Sequence, residues 1–530
     1  MSRPAASPIF QANVVLVVAM VLGMLIALVL GMMVGESDVK PLLLIFLAVT
    51  GIAYAVWLHR YFWQLALFLL YFSFTYKPTS FTFGGTELAC ALGFGVMVIF
   101  FWQKQSHDRA EILAQTGFKF LESVLFFWLV YVALHLIFNA KIPYLPSEFK
   151  LTNALKSYFA VSAPLALFFF FSRNPAGVLP GKDFFWRVTQ LLTLGLIVNL
   201  VIRVYELKTG HVVFVPLLNA TSNGFALRAL GPLAMLIGAV GVTGPHSERR
   251  SALRLSTFWL LAASGCAGSI LSGGRAAIVY GFICVCTVLF FRRKVVALAS
   301  IVGVAILAVA LANLSAHWIN TRANPAVQRS LQWVLFQKNW ETVGDLESST
   351  NWRNELYKRS IDEWRSDPRI FWTGRATFGF GAADETAILI AGGYEALIET
   401  SIRRGATHNL VTDMLVAYGI IGCVLYFGVY LAMIRFLWRL YRSRALTDPA
   451  LNLTLTCLVG TIFALGLDLT SGGNIPPDLL ICSLVLVAAI YNGVALAPER
   501  AATARNAPVP IAVSKRERFR PRPAPLLQRG

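Results

Sequence analysis

Long apolar stretches separated by short polar segments dominate the pattern of hydrophobic and polar positions along this chain. A helix that crosses a bilayer needs about 20 predominantly apolar residues. The pattern predicts about 12–14 such helices, because two candidate stretches are short and one is rich in glycine. The candidate stretches are 12–34, 41–58, 61–76, 86–102, 121–139, 152–172, 184–204, 229–244, 255–271, 275–291, 295–313, 409–433, 451–469 and 478–497. The chain is therefore predicted to be an all-α polytopic integral membrane protein.

The composition supports this fold class. Of the 530 residues, 57% are apolar and 14% are charged, whereas a soluble domain averages about 25% charged residues. The basic residues behind the net charge of +19 cluster in short segments between apolar stretches, so topology explains them better than a nucleic-acid groove does. The seven cysteines fall within apolar stretches without metal-ligand spacing, which favours buried thiols. We therefore expect no nucleic-acid partner, no disulfide framework and no metal site.

Lysine and arginine in the short loops predict the orientation of the chain. The strongest basic segments are 246–254, 292–294, 435–444 and the tail from residue 498. The positive-inside rule places such segments in the cytoplasm, and the predicted spans separate each segment from the next by an even number of crossings. Both termini are then predicted to be cytoplasmic, and the long polar segment after residue 313 lies on the outer side.

This long outer segment divides the chain into regions. Residues 351–371 place apolar and aromatic side chains at near-helical spacing, which predicts an amphipathic helix outside the membrane that ends at Asp367-Pro368. The tail has no apolar periodicity and is predicted to be disordered. The predicted regions are an N-terminal transmembrane bundle at 1–313, a large outer loop with amphipathic helices at 314–408, C-terminal transmembrane helices at 409–497, and a basic, disordered cytoplasmic tail at 498–530.

Three polar clusters lie at the outer ends of predicted helices, at 223–228, 272–278 and 407–422. The first two place Arg228 and Arg275 near the edge of the hydrocarbon region, where an arginine usually faces a polar cavity or a partner. Guanidinium groups bind phosphate oxygens bidentately, and helix N-termini add exposed N–H groups. If the two arginines converge, they form an anion site suited to a diphosphate. A single arginine at a helix end is more often a snorkelling anchor or a charge that sets topology.

His408 belongs to the third cluster, at the outer end of a predicted spanning helix. The positive end of a helix dipole disfavours an imidazolium. The ring is therefore expected to be neutral near pH 7 and able to accept a proton from a hydroxyl as a general base, with a capping role as the alternative. His135 is interpreted as a packed polar residue, and Glu87 and Asp468 as intramembrane acids that could be proton sites.

The order of these elements resembles the O-antigen ligase and polymerase superfamily. In chain order they are Arg228, SGGR ending at Arg275, a long outer loop containing WRNELYKRSIDEWRSDPRIFWTGRATFGFG at 352–381, and THNLVTDMLVAYGIIG at 407–422. The most specific element is His408-Asn409 followed by glycines within one helix. The chain departs from the family pattern at Ala417, where members often carry glutamate, and at 230–232, where Leu-Gly-Pro replaces the usual Pro-Asn pair.

The resemblance implies a C-type glycosyltransferase architecture with its active site on the periplasmic face of the bacterial inner membrane. Members transfer a glycan from a polyprenyl-diphosphate carrier to a saccharide acceptor in one inverting, metal-independent step without a cofactor. By their positions in the motifs, Arg228 and Arg275 would bind the diphosphate, His408 would be the catalytic residue, and Asn409 and Arg353 would support them. The implied partners, besides the lipid bilayer, are a chain-length regulator and a flippase of the same pathway.

Two questions stay open at the level of sequence. The resemblance covers both polymerases and ligases of surface polysaccharide (O-antigen, capsule or exopolysaccharide), and the large number of spans favours a polymerase slightly. The alternative from another class is a multi-helix transporter or flippase for a small anion or a lipid-linked glycan. A transporter predicts internal repeats and broken helices near the bilayer midplane, whereas the sequence shows no convincing repeat and gathers its charged residues at one face.

Overall fold

The computed structural model describes residues 75–76, 83–84, 118–139, 165, 184–210, 223–244, 251–337, 340–375, 398, 401–402, 409–442 and 448–471. Nearly all regular structure among these residues is α-helix, beside the antiparallel strands β1 (Thr75–Tyr76) and β2 (Phe83–Gly84). The helices are α1 (Phe118–Asn139), α2 (Phe184–Thr209), α3 (Asn223–Thr243), α4 (Ala252–Leu271), α5 (Arg275–Phe291), α6 (Val295–Leu314), α7 (Ala316–Arg322), α8 (Pro325–Leu331), α9 (Trp340–Ser366), α10 (Pro368–Thr373), α11 (Leu410–Arg442) and α12 (Asp448–Ser471).

Apolar helices form the bulk of the described structure, as the sequence predicts. By length and composition, α1, α2, α6 and α11 are each able to cross a membrane, and shorter apolar helices make up most of α3, α5 and α12. The chain is thus confirmed as an all-α polytopic membrane protein. The predicted spans 12–34, 41–58, 86–102 and 478–497, most of 61–76 and 152–172, and the tail at 498–530 lie outside the described residues.

The end of the predicted span 61–76 is wrong. Thr75 pairs with Gly84 and Tyr76 with Phe83 in the β1–β2 ladder, so extended backbone stands where the last helical turn was expected. Threonine and tyrosine favour strands, and Pro78 offers no N–H for a continuing helix. Aromatic and β-branched residues occur both in spanning helices and in strands, so apolar length alone does not distinguish a helix from a strand at this position.

Helices α3 and α4 pack backbone to backbone through glycine. A Cβ atom added to Gly231 would lie 2.9 Å from the carbonyl oxygen of Gly265, and one added to Gly238 would lie 2.8 Å from that of Phe258. Small residues permit such close approach between membrane helices, whose association depends on dispersion contacts. The glycine content of the predicted span 229–244 therefore serves helix packing.

The basic segments of the described chain lie at one end of the bundle. The guanidinium group of Arg292, just after α5, donates to the side-chain oxygen of Asn452 in α12. The hydroxyl of Tyr441, near the end of α11, donates to the carbonyl oxygen of Phe291 at 3.2 Å. The ends of α5 and α11 and the start of α12 thus share one side. This is the arrangement that the predicted orientation requires, and the identity of that side as cytoplasmic stays a prediction.

The amphipathic helix predicted in the outer loop is present as α9, which begins earlier than predicted. Asp367 and Pro368 end it, and they also start α10. The carboxylate of Asp367 accepts a hydrogen bond from the Arg369 N–H at 2.7 Å, and proline suits the first turn of a helix. The rings of Trp364 and Phe371 stack with their centroids 4.6 Å apart, so α10 folds back on α9.

Helix α11 is broken near its first third. Gly419 has φ 66° and ψ −174°, a backbone region that is essentially open to glycine alone. The helix therefore consists of a first segment at 410–418 and a longer one after the break. The first segment directly follows Asn409, the residue after His408 in the sequence.

Candidate functional site

Arg228 lies on the turn that the SGGR motif forms between α4 and α5. A Cβ atom added to Gly274 would lie 2.9 Å from Cγ and 3.0 Å from Nε of Arg228. Gly273 has a φ of 70°, and the backbone N–H of Gly274 donates to the hydroxyl of Ser272 at 3.1 Å. The two glycines let the chain turn tightly and leave room for the arginine. The first two polar clusters of the sequence therefore meet in space.

Arg275, the first residue of α5, contacts a short helix of the predicted outer loop. Its Nε donates to the carbonyl oxygen of Arg329 in α8 at 3.2 Å. Helix α8 is in turn bound to the end of α4, because the hydroxyl of Ser330 donates to the carbonyl oxygen of Ile270 at 2.7 Å. The segment that follows α6 thus folds back over the SGGR turn.

Further arginines act electrostatically on Arg228. The charges of Arg329, Arg203 and Arg353 lie close enough to Arg228 to oppose its own charge. Arg203, near the end of α2, donates from Nε to the carbonyl oxygen of Leu271 at 3.2 Å, so it lies beside the SGGR turn as well. We name the following set the arginine cluster: Arg203, Arg228, Arg275, Arg329 and Arg353.

A buried carboxylate accompanies the arginine cluster. Glu206 is 8% exposed, and its Oε2 lies 3.3 Å from a guanidinium nitrogen of Arg203. Arg228 is half-buried, and the Nε of Arg353 is buried without a hydrogen-bond partner among the described residues. Like charges held close together repel one another, and the Glu206 carboxylate offsets one of them. The cluster is therefore suited to bind an anion.

Helix α9 links the arginine cluster to the start of α11. Arg353 and Tyr357 lie one turn apart on α9, and the charges of Arg353 and of Asp413 in α11 both act on the Tyr357 phenol. Burial raises the pKa of Tyr357 above its usual value, the Asp413 charge adds to this rise, and Arg353 opposes it. The phenol is thus protonated at neutral pH and can donate a hydrogen bond.

Asn409 caps helix α11. Its side-chain oxygen accepts a hydrogen bond from the N–H of Val411 at 2.8 Å, and its carbonyl oxygen accepts one from the hydroxyl of Thr412 at 2.9 Å. Asparagine is a preferred N-cap residue for this reason. The structure thus gives Asn409 a role in starting the helix, beside its predicted support of His408. His408 itself lies outside the described residues.

The structure brings several of the predicted site residues together. Arg228 lies against Gly274, the residue before Arg275 in the SGGR turn, and the charge of Arg353 acts on Arg228. Arg275 itself donates to the carbonyl oxygen of Arg329. The roles assigned to these residues stay predictions. Glu87 lies outside the described residues, and the side chain of Asp468 is not among those described.

Sequence patterns did not single out Arg203, Arg329 and Glu206. Arg203 falls at the outer end of the predicted span 184–204, on the side where topology requires no positive charge. Its position is thus as informative as that of Arg275. Arg329 gives no such signal, because it lies in the predicted outer loop and reaches the site through the tertiary fold.

Residues 258–427 match the family described as O-antigen ligase. The matched segment contains Arg275, Arg353 and Asn409, and Arg228 precedes it. None of the curated proteins compared with the chain matches it. The family match implies an enzyme that ligates or polymerises glycans and acts on a lipid-linked glycan donor and an acceptor saccharide. The chain is thus a multi-pass membrane protein whose segment 258–427 is similar to the O-antigen ligase family, and this match supports the O-antigen ligase/polymerase superfamily.

Proposed function

We propose that the chain transfers a glycan from a polyprenyl-diphosphate carrier to a hydroxyl of an acceptor saccharide. The observation that carries this proposal is the arginine cluster, in which Arg228 lies on the SGGR turn under the opposing charges of Arg203, Arg329 and Arg353. A diphosphate supplies the adjacent negative groups that guanidinium forks bind. The O-antigen ligase match over 258–427 supports this chemistry and does not favour a transporter.

The arginine cluster would bind the glycan donor and stabilise its leaving group. Arg275 is the first residue of α5, and Arg228 lies in the second turn of α3. Backbone N–H groups and the helix dipole add positive potential at the start of a helix. During transfer the bond between the anomeric carbon and the diphosphate oxygen breaks, and negative charge grows on that oxygen. Preorganised guanidinium groups stabilise such charge in the transition state. The proposed step uses neither a metal nor a cofactor.

His408 is proposed to activate the acceptor. It directly precedes Asn409, the N-cap of α11, where the helix dipole favours a neutral imidazole. The imidazole takes the proton of the acceptor hydroxyl as its oxygen attacks the anomeric carbon, and the electron pair of the broken bond leaves with the diphosphate. This single displacement inverts the configuration at that carbon. Arg353 and Asn409 support the substrates and His408.

The proposed orientation follows from the distribution of charge. The basic ends of α5 and α11 share one end of the bundle, whereas the arginine cluster lies where α4 ends and α5 begins. The positive-inside rule assigns the basic ends to the cytoplasm. The cluster then faces the periplasm, both termini are cytoplasmic, and the host membrane is the bacterial inner membrane.

We place this activity in the polymerisation or ligation of O-antigen, capsule or exopolysaccharide, with a flippase and a chain-length regulator as partners. A polymerase and a ligase use the same lipid-linked donor and differ in their acceptor. Deletion of the gene separates the two. Repeat units that stop lengthening indicate a polymerase, whereas complete polymers that lack their final attachment indicate a ligase.

The proposed function is tested with the purified full-length protein in liposomes. The glycan donor is the lipid-linked glycan extracted from the deletion strain, which accumulates unused donor. We expect the wild-type protein to transfer the glycan, and His408→Ala to lower kcat by about 10²–10⁴-fold, the range for loss of a general base. His408→Ala should still bind polyprenyl diphosphate, because the arginine cluster is intact.

The matched control for this variant is His317→Ala, which changes an exposed histidine of α7 and should retain wild-type kcat. Solute flux into the liposomes without glycan transfer would indicate the transporter. A His408→Ala variant as fast as wild type would contradict the role of His408.

Asn409 allows its capping role to be separated from a catalytic one. Asn409→Asp keeps a side-chain oxygen for the Val411 N–H and should leave thermal stability near wild type. Asn409→Ala removes this acceptor and should cost about 1 kcal/mol. The measurement is thermal unfolding in detergent together with kcat. If Asn409→Asp lowers kcat without lowering stability, the amide supports His408; if both variants unfold as wild type does, the cap contributes nothing.

A further inference from the structure

The break in α11 is filled by backbone from the end of α10. A Cβ atom added to Gly374 would lie 2.4 Å from the carbonyl carbon of Ala417, and one added to Gly419 would lie 2.4 Å from that of Trp372. The N–H of Arg375 donates to the carbonyl oxygen of Val416 at 2.8 Å. Residues 372–375, which we name the inserted turn, therefore replace the helical contacts that α11 loses at its break.

Helix α1 holds the inserted turn from the other side. The Nε2 atom of His135 lies 2.7 Å from the carbonyl oxygen of Thr373. The hydroxyl of Tyr131 donates to the carbonyl oxygen of Tyr418 at 2.5 Å and lies 3.3 Å from that of Thr373. Because a carbonyl oxygen can accept but not donate, His135 must carry a hydrogen on Nε2.

These hydrogen bonds provide partners for carbonyl groups that the break in α11 leaves without their usual helical bonds. A broken membrane helix leaves carbonyl groups without their usual partners, and each such group is expensive away from water. Arg375 supplies a partner for Val416, and Tyr131 supplies one for Tyr418. His135, which is 4% exposed, donates a hydrogen bond to the Thr373 carbonyl oxygen within the inserted turn. The break is thus a built feature shared by α1, α10 and α11.

The inserted turn is also tied to α9. A guanidinium nitrogen of Arg375 lies 2.6 Å from a carboxylate oxygen of Glu363, which lies on the same helix as Arg353. The first segment of α11, at 410–418, extends from the break towards Asn409 over roughly 15 Å. The inserted turn therefore contacts the helix that carries Arg353 through the Arg375 side chain, and the helix segment 410–418 through its backbone.

We infer that His135 and Tyr131 are positioning residues for glycan transfer. By holding the inserted turn in the break, they fix the direction of the segment 410–418 and with it the position of Asn409, the residue that follows His408 in the sequence. This inference rests on the proposed function, because its effect is measured as the rate of glycan transfer. A misplacement of about 1 Å in a catalytic group can cost about 10²-fold in rate.

The test compares His135→Leu with His135→Gln in the liposome assay, using the lipid-linked glycan extracted from the deletion strain. His135→Leu removes the hydrogen-bond donor, and we expect kcat to fall by about 10²-fold while KM for the glycan donor stays within a factor of about three. His135→Gln keeps an N–H for Thr373 and should restore most of the rate. His317→Leu is the matched control, because His317 is exposed on α7.

Hydrogen exchange supplies a readout besides activity. Amides of 410–418 should exchange faster in His135→Leu than in the wild type, and near the wild-type rate in His135→Gln. If His135→Leu does not fold, Tyr131→Phe removes the donor to Tyr418 and should show the same fall in kcat at constant KM.

Several outcomes would overturn the inference. His135→Leu with wild-type kcat and exchange would do so, and so would a loss of rate that His135→Gln does not restore. A wild-type protein that transfers no glycan would instead contradict the proposed function, so the two failures are distinguishable.

Discussion

Replacing Arg228 or Arg275 with alanine is expected to reduce glycan transfer by about 10²–10³-fold, the range for loss of one preorganised group that stabilises transition-state charge. Arg228 is half-buried beside other positive groups, so water would be a poor substitute for its guanidinium in the proposed diphosphate site. Binding of polyprenyl diphosphate should weaken as well, because in the proposed site each guanidinium would also contact the bound donor before transfer. The measurements are kcat, KM for the lipid-linked glycan, and binding of polyprenyl diphosphate in detergent.

Matched controls separate a specific role from a general effect of charge. Arg322→Ala removes an exposed arginine at the end of α7 and should leave both transfer and binding unchanged. Arg228→Lys keeps the positive charge without the planar guanidinium. Its transfer rate and its binding of polyprenyl diphosphate should lie between those of the wild type and of Arg228→Ala. Equal binding of polyprenyl diphosphate by Arg228→Ala, Arg275→Ala and His408→Ala would count against the assigned roles.

Replacing Gly419 or Gly374 with alanine is expected to destabilise the folded protein by more than the approximately 1–3 kcal/mol of backbone strain alone. Both residues have a positive φ, 66° and 75° respectively. In each case the new Cβ would lie 2.4 Å from backbone atoms, and backbone cannot move aside as a flexible side chain can. The measurement is the thermal unfolding midpoint of the detergent-solubilised variants, together with their yield in membranes.

Two other glycines serve as controls for these substitutions. A Cβ atom added to Gly303 in α6 would meet no atom within 4 Å, and one added to Gly428 in α11 would lie 3.5 Å from Val124, an ordinary contact. Alanine at either position should therefore be neutral or slightly stabilising. If Gly419→Ala unfolds at the same temperature as Gly428→Ala, the contact between the inserted turn and α11 is not what the structure indicates.

Much of the fold could be predicted from the sequence because membrane helices carry a strong local signal. A spanning helix must bury its own backbone polar groups in about 20 apolar residues, so the positions of α1, α2 and α6 follow from hydropathy. The N-cap at Asn409 and the helix boundary at Asp367-Pro368 are likewise local. The strands at Thr75 and Phe83 could not be predicted from hydropathy, since their pairing depends on a contact between separate segments.

The candidate site was predictable only in part. Arg228 and Arg275 stand out because charge near the membrane edge on the outer side requires an explanation. Arg329 and Glu206 do not stand out, since they enter the arginine cluster through folded contacts of α8 and α2. For His135 the sequence predicts only a packed polar residue, because its hydrogen bond to Thr373 spans 238 positions of sequence and no local pattern records such a contact.

By itself, the sequence determined that this protein spans a membrane, where most of its helices lie, and which residue types could bind a diphosphate. These properties follow from apolar length, loop charge and motif order, each of which is written in consecutive residues. The tertiary structure decided that Arg228 lies on Gly274, that α8 and α9 add Arg329 and Arg353, and that a turn from outside the apolar helices fills the break in α11. Such contacts depend on how closely two backbones can approach and on which charges share one space, and both are settled when distant segments pack together.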